Sequence, residues 1–140
     1  IRWPGVTSHG SVRDALISQI DLMATFAAAF DYQLPKGQAE DSINMMPVLR
    51  DQAENPREVL VHNNKLWGIR KGDWVLLENP KVSKRADYLK ANRFTKIQEG
   101  SDVLYNLSED LGQRVDLLKK YPEKAAQLRE ILHQARSKRN

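Results

Sequence analysis

The sequence predicts an α+β fold on three observations. Apolar residues recur at a period of two through two successive reversals between Val59 and Leu77. A further short apolar run occupies residues 103–107, and the stretch after Pro122 repeats its apolar residues at helical spacing. At 140 residues, the chain is long enough to bury roughly 68–70% of the surface its unfolded form exposes. It has no cysteine, which excludes a disulfide framework, a thiolate zinc site, a thiol nucleophile and any cysteine matured into another catalytic group.

Taken in order, residues 1–3 read as the end of a strand, stopped by the turn dipeptide Pro4-Gly5. Asp21 stands where a helix N-cap would stand, ahead of Leu22, Phe26, Ala29 and Phe30 at i, i+4, i+7 and i+8. Met23 and Ala27 widen the apolar face almost to a full circle, so this helix is expected to be buried on most sides. Turn formers from Pro35 to Pro56 then punctuate a long irregular surface crossing, with a turn of helix expected near residues 45–49.

From Glu58 the period changes to two: Val59 and Val61 face one way, Leu60 and His62 the other. Asn63-Asn64 suits a tight hairpin because asparagine tolerates positive φ, and Lys71-Gly72-Asp73 marks the next reversal. Three antiparallel strands are expected at 58–62, 65–70 and 74–78, and a fourth at 103–107. Between them, Lys81, Lys84, Arg85, Lys90, Arg93 and Lys96 make residues 79–102 a solvated basic loop with a helical turn at 86–91. In the last helix Pro122 fits the first turn and Glu123 its positive end. Leu128, Ile131, Leu132 and Ala135 form the apolar stripe, while Arg136, Lys138 and Arg139 complement the negative end.

The net charge of +4 and the pI near 9.4 fall short of a nucleic-acid signature, since no basic stripe or recognition motif accompanies them. No run of about 18 apolar residues exists, so no membrane span is expected. The start, Ile1-Arg2-Trp3-Pro4-Gly5, has neither an initiator methionine nor a signal-peptide pattern and reads as cut from something longer. His9, His62 and His133 have no metal-ligand spacing. Of the three, His62 ends a strand at a turn, where a side chain can reach a neighbouring cleft. Glu40-Asp41 and Glu109-Asp110 sit beside turn residues and read as turn caps rather than paired acid/base groups. Trp3, Trp67 and Trp74 read as core or interface anchors, and no nucleophile elbow, phosphate loop or dinucleotide fingerprint is present.

Six phrases fall in a consistent order along nearly the whole chain: 2–5 (Arg-Trp-Pro-Gly), 18–25 (Ser-Gln-Ile-Asp-Leu-Met-Ala-Thr), 40–49 (from Glu40 through Pro47 to Leu49), 61–64 (Val-His-Asn-Asn), 68–74 (Gly-Ile-Arg-Lys-Gly-Asp-Trp) and 104–110 (Leu-Tyr-Asn-Leu-Ser-Glu-Asp). Together they resemble the closing third of formylglycine-dependent sulfatases. Departures fall at Asn106, where the family usually has aspartate, at Leu111-Gly112-Gln113, and at His62-Asn63-Asn64, where a His-His pair is frequent.

The resemblance implies an architecture. Residues 1–56 would be the end of the large sulfatase α/β domain, and residues 57–140 a small four-stranded antiparallel sheet packed by the C-terminal helix. It also implies a parent that hydrolyses sulfate esters with a hydrated formylglycine beside calcium, the cation stabilising charge that develops on the sulfuryl oxygens. The family's nucleophile and metal ligands precede the Arg-Trp-Pro-Gly stretch, so no catalytic or metal residue and no cofactor is assigned to this chain. Its expected role is structural support and one wall of the substrate cleft, with His62 and Asn63, and Asn64 after them, as candidate substrate contacts. The expected partner is the N-terminal catalytic portion; in its absence, the apolar residues 1–3 and 22–30 are expected to form a patch through which the chain self-associates. Export is common in the family, but the sequence carries no address. The rival reading is a stand-alone module binding an anionic polymer, a sulfated glycan or nucleic acid, through Lys71, Lys81, Lys84 and Arg85, with affinity that falls steeply with salt.

Overall fold

A computed structural model of the chain describes residues 1–63, 66–79 and 100–137. Asn64 of the expected hairpin turn, the basic loop with its helical turn at 86–91, and Lys138 and Arg139 lie outside the described residues. The chain divides into two compact units, Ile1–Glu58 and Val59–Asn140.

The first unit holds helix α1, Asp21–Ala29, and the short helix α2, Met46–Leu49, joined by turns. Three expectations are corrected here. Residues 1–3 form no strand, because no segment of the unit offers a ladder and the Trp3 backbone is satisfied locally. The Trp3 N–H donates to Thr7 Oγ1 at 3.3 Å, and its carbonyl accepts from the Val6 and Thr7 N–H groups at the Pro4-Gly5 turn, both at 3.0 Å.

Asp21 is not a cap either: Ile20 holds the N-cap position without a side-chain bond. The Asp21 carboxylate turns inward, fully buried. It accepts from the Ser18 N–H at 2.8 Å, reaching back three residues as the acidic arm of a capping box does, from the Ile43 N–H at 3.0 Å, and from both Arg57 Nε at 2.9 Å and Arg57 Nη2. Arg57 Nη2 also donates to the Asp41 carbonyl at 2.8 Å.

Nor is α1 buried on most sides. Its buried residues are Asp21 and Thr25, whereas Leu22, Met23, Phe26 and Phe30 are 39–79% exposed. The reason is that the helix is anchored by its polar side. Thr25 Oγ1 donates to the Asp21 carbonyl and accepts from the Met45 N–H, and the Ala24 N–H donates to Ser42 Oγ. Leu16, Met45, Met46 and Val48 form the buried apolar centre of the unit.

In the second unit, β1 Val59–Asn63, β2 Trp67–Lys71, β3 Trp74–Leu77 and β4 Val103–Asn106 form one antiparallel sheet in the order β1-β2-β3-β4. The two-residue reversal Gly72-Asp73 joins β2 to β3, with Gly72 at φ 56°, a left-handed backbone that glycine adopts without a Cβ penalty. Strand alternation sorts the side chains into two faces. One carries the cross-strand row Val61, Ile69, Leu76 and Leu104, against which the helix α3, Pro122–Ser137, lays Ala125, Leu128 and Leu132, all essentially inaccessible. Trp74 meets Tyr121 edge-on on this side, ring centroids 5.1 Å apart, and Arg136 stacks over Trp67 while pairing with Glu78.

The opposite face carries Leu60, Arg70, Val75 and Tyr105 in one row and His62, Gly68, Leu77 and Val103 in the next. Burial, and then the charges of Asp116 and Asp110, push the Tyr105 phenol up to about 12. The backbone beyond β4 is tied down: the Leu117 N–H donates to the Leu104 carbonyl at 2.8 Å, and Asp116 accepts from the Leu104 and Leu118 N–H groups. A β4 edge occupied in this way is closed to further strand pairing.

Candidate functional site

Register and alternation decide where the expected contact residues stand. His62 pairs across the ladder with Gly68, and Asn63 pairs with Trp67 at the last rung before the β1–β2 turn. Both are exposed. As neighbours on one strand they belong to opposite faces: Asn63 shares the parity of Val61 on the α3 side, while His62 lies on the other side with Leu77 and Val103. The fold therefore separates the two, His62 on one face and Asn63 at the end of the other.

The imidazole of His62 lies directly over Gly68. A Cβ placed on Gly68 would sit 2.3 Å from His62 Nε2, 2.6 Å from Cε1 and 2.9 Å from Leu77 Cδ2. Gly68 is not among the positive-φ glycines, so what its missing Cβ gives is room for the imidazole and not backbone freedom. Sequence reading passed over Gly68; the signal was a glycine inside a strand, which marks a close approach once the register shows what approaches it.

The other polar cluster of note lies in the first unit, along a cavity of about 420 Å³ whose lining includes Thr7, Ser8, Arg13, Val48 and Asp51. Its charges are already matched. Arg13 pairs with Asp51, and Ser8 Oγ donates to Asp51 at 2.9 Å, bonds that hold the Asp51 carboxyl below its ordinary range. Of the residues expected in the rival binding module, Lys71 is exposed at the end of β2, and Lys81, Lys84 and Arg85 lie outside the described residues. His9 and His133 are both exposed, on different units. Among the described residues no three His, Asp or Glu side chains gather as a metal site, and no helix is long and apolar enough to cross a membrane.

No family model matches the sequence. An N-acetylgalactosamine-6-O-sulfatase of Bacteroides thetaiotaomicron does: it is 31% identical over 143 residues, an alignment that takes in 99% of this chain and 27% of that enzyme. The similarity fits a C-terminal portion of a sulfatase. Solved structures agree with the sulfatase assignment. One, from work on the metabolism of multiple glycosaminoglycans by Bacteroides thetaiotaomicron, is 28% identical with a TM-score of 0.70, covering 89% of this chain and 26% of that one. A second, solved with its substrate D-glucosamine-2-N,6-O-disulfate, has a TM-score of 0.68 over 97% of this chain and 27% of its own; at 18% identity the likeness is one of fold. The chain thus spans about a quarter of the length of the sulfatases it matches.

The four-stranded sheet and C-terminal helix are the expected α+β portion of a sulfatase. Calcium and formylglycine, which the sulfatase relatives make plausible for the parent, find no fit in the residues present. The chain has no cysteine, no three His, Asp or Glu side chains gather among the described residues, and Asp21, Asp51 and Asp102 are each paired with an arginine. No chemical step is assigned to either group here.

Proposed function

We propose that this chain braces and completes the catalytic portion of a sulfatase acting on sulfated sugars, and that it supplies one wall of the substrate cleft. In such an enzyme a hydrated formylglycine beside calcium supplies the attack on sulfur. The part left to this chain is recognition of the sugar that carries the ester. The observation that carries the reading is the 31% identity running through 99% of the chain to an enzyme named for N-acetylgalactosamine 6-O-sulfate, of which it forms 27%.

Within this reading His62 is the contact on the wall. It is exposed, it stands at the turn end of β1, and its imidazole offers one donor and one acceptor to sugar hydroxyls when neutral. Asn63, on the other face, stands at the rim. The residues 1–56 belong to the large α/β domain and 57–140 to the sheet subdomain.

The test is steady-state kinetics on the assembled enzyme, this chain together with the upstream catalytic portion, with N-acetylgalactosamine 6-sulfate and with a small aryl sulfate. Replacing His62 by alanine is expected to raise KM for the sugar about tenfold, the loss of one or two hydrogen bonds of roughly 1–1.5 kcal/mol, and to leave the aryl sulfate nearly unchanged. Equal effects on both substrates would remove His62 from the wall; no sulfate release from either would remove the sulfatase reading itself.

A further inference from the structure

We infer that Gly68 is a positioning residue: it is the seat that holds the His62 imidazole over the neighbouring strand, in the pose in which it meets the substrate. This rests on the sulfatase reading for what His62 meets, and on geometry alone for how it is held.

Directly opposed residues of an antiparallel pair ordinarily set their Cβ atoms about 4.5–5.5 Å apart, each side chain standing away from the sheet beside the other. At the His62–Gly68 rung one of those side chains is missing, and the imidazole occupies its place. Nε2 and Cε1 lie 2.3 and 2.6 Å from where a Cβ would be, so even alanine at 68 excludes the observed ring position. The ring would have to leave for another staggered rotamer. Leu77, the next residue of the row, stands 2.9 Å from the same point on the other side, so the seat is walled as well as floored. Gly68 itself is buried, and a glycine in a strand interior is otherwise unfavourable because it packs nothing and loses more freedom on folding. The exposed His62 is thus confined from below while its outer side stays open to a ligand. Such confinement removes most of the rotamer ordering that binding would otherwise cost.

The experiment is a double-substitution cycle, Gly68→Ala and His62→Ala singly and together, in the assembled enzyme. KM for N-acetylgalactosamine 6-sulfate is read beside the denaturant midpoint of this chain. A floor that acts through His62 predicts a KM rise of about three- to tenfold for Gly68→Ala, with kcat little changed and no further rise when His62 is already alanine. It also predicts that Gly68→Ala lowers the midpoint more when His62 is present than once the imidazole is gone, the remainder being the contact with Leu77. A Gly68→Ala enzyme with the parent KM, or one whose KM effect persists in full on the His62→Ala background, overturns the inference. His62→Ala without effect on KM overturns the substrate-contact reading instead. In that case the NOE between the His62 Hε1 and Gly68 Hα protons in the chain alone decides the seat: its presence supports the geometry, and its absence contradicts it.

Discussion

At the scale of single residues, the first unit depends on one buried ion pair. The Asp21 carboxylate is held from four directions, and Arg57, also buried, extends the knot to the Asp41 carbonyl. Burial alone would raise the pKa of Asp21. The hydrogen bond from Arg57, the Ile43 and Ser18 N–H groups and the Arg57 charge outweigh it, so the carboxyl titrates below its ordinary value of 3.8. Because the folded-state pKa is lowered, the stability that Asp21 contributes is fully present above that ordinary value and is lost as the pH falls through the folded value, at pH below about 4. Asp21→Asn is expected to cost about 3–5 kcal/mol by urea unfolding at neutral pH, since it leaves Arg57 buried and uncompensated, and to abolish the acid-induced loss assigned to this pair. A variant that unfolds with the parent midpoint would show that the pair contributes nothing net. None of this was legible in the sequence. Asp21 reads as a cap because aspartate before an apolar run usually is one, and its partner stands 36 residues away across a stretch without periodicity. His62, by contrast, was legible as a strand end, while the glycine under it needed the register.

At the scale of elements, the strands were legible because their signal is local. Alternation at 59–62 and the Lys71-Gly72-Asp73 turn fix which residues share a face before any tertiary contact is known. The last helix was legible for the same reason: of its expected stripe Leu128 and Leu132 are buried and Ile131 and Ala135 half-buried, while the buried Ala125 one turn earlier was not read. For helix α1 the periodicity alone suggested burial within the chain, whereas the exposed Leu22, Met23, Phe26 and Phe30 match the apolar patch that the resemblance implies, because a nearly all-round apolar pattern does not say which chain supplies the cover. The two helices consequently respond to substitution in opposite ways. Leu132→Ala, at 0% exposure, is expected to cost about 2–5 kcal/mol of stability in the chain alone. Polar replacement of Phe26 and Phe30, 49% and 79% exposed, is expected to change the chain's own stability by no more than about 0.5 kcal/mol while weakening its association with the upstream catalytic portion severalfold or more. Paired thermal melts and binding isotherms on the variants check both; a large loss of stability from the α1 substitutions would mean that α1 is covered within the chain after all.

At the scale of the whole molecule, the described surface agrees with the share of a sulfatase that the chain represents. Ile1, Ile17, Ile20, Leu22, Met23, Phe26, Phe30 and Tyr32 are all exposed in the unit that the resemblance assigns to the large domain. Fully burying a side chain of this size is worth about 1.5–3 kcal/mol, so a partner covering several of them gains ample energy to hold the chain in place. The sheet unit instead closes its own core against α3. On the proposed reading, the exposed apolar side chains of the first unit are the ones the catalytic portion would cover. The most direct test is release of inorganic sulfate from N-acetylgalactosamine 6-sulfate by this chain, by the upstream portion of the same gene product carrying formylglycine and calcium, and by the two mixed. The account predicts turnover in the mixture and none with this chain alone. Turnover by the chain alone, or a mixture no more active than the upstream portion by itself, would contradict it.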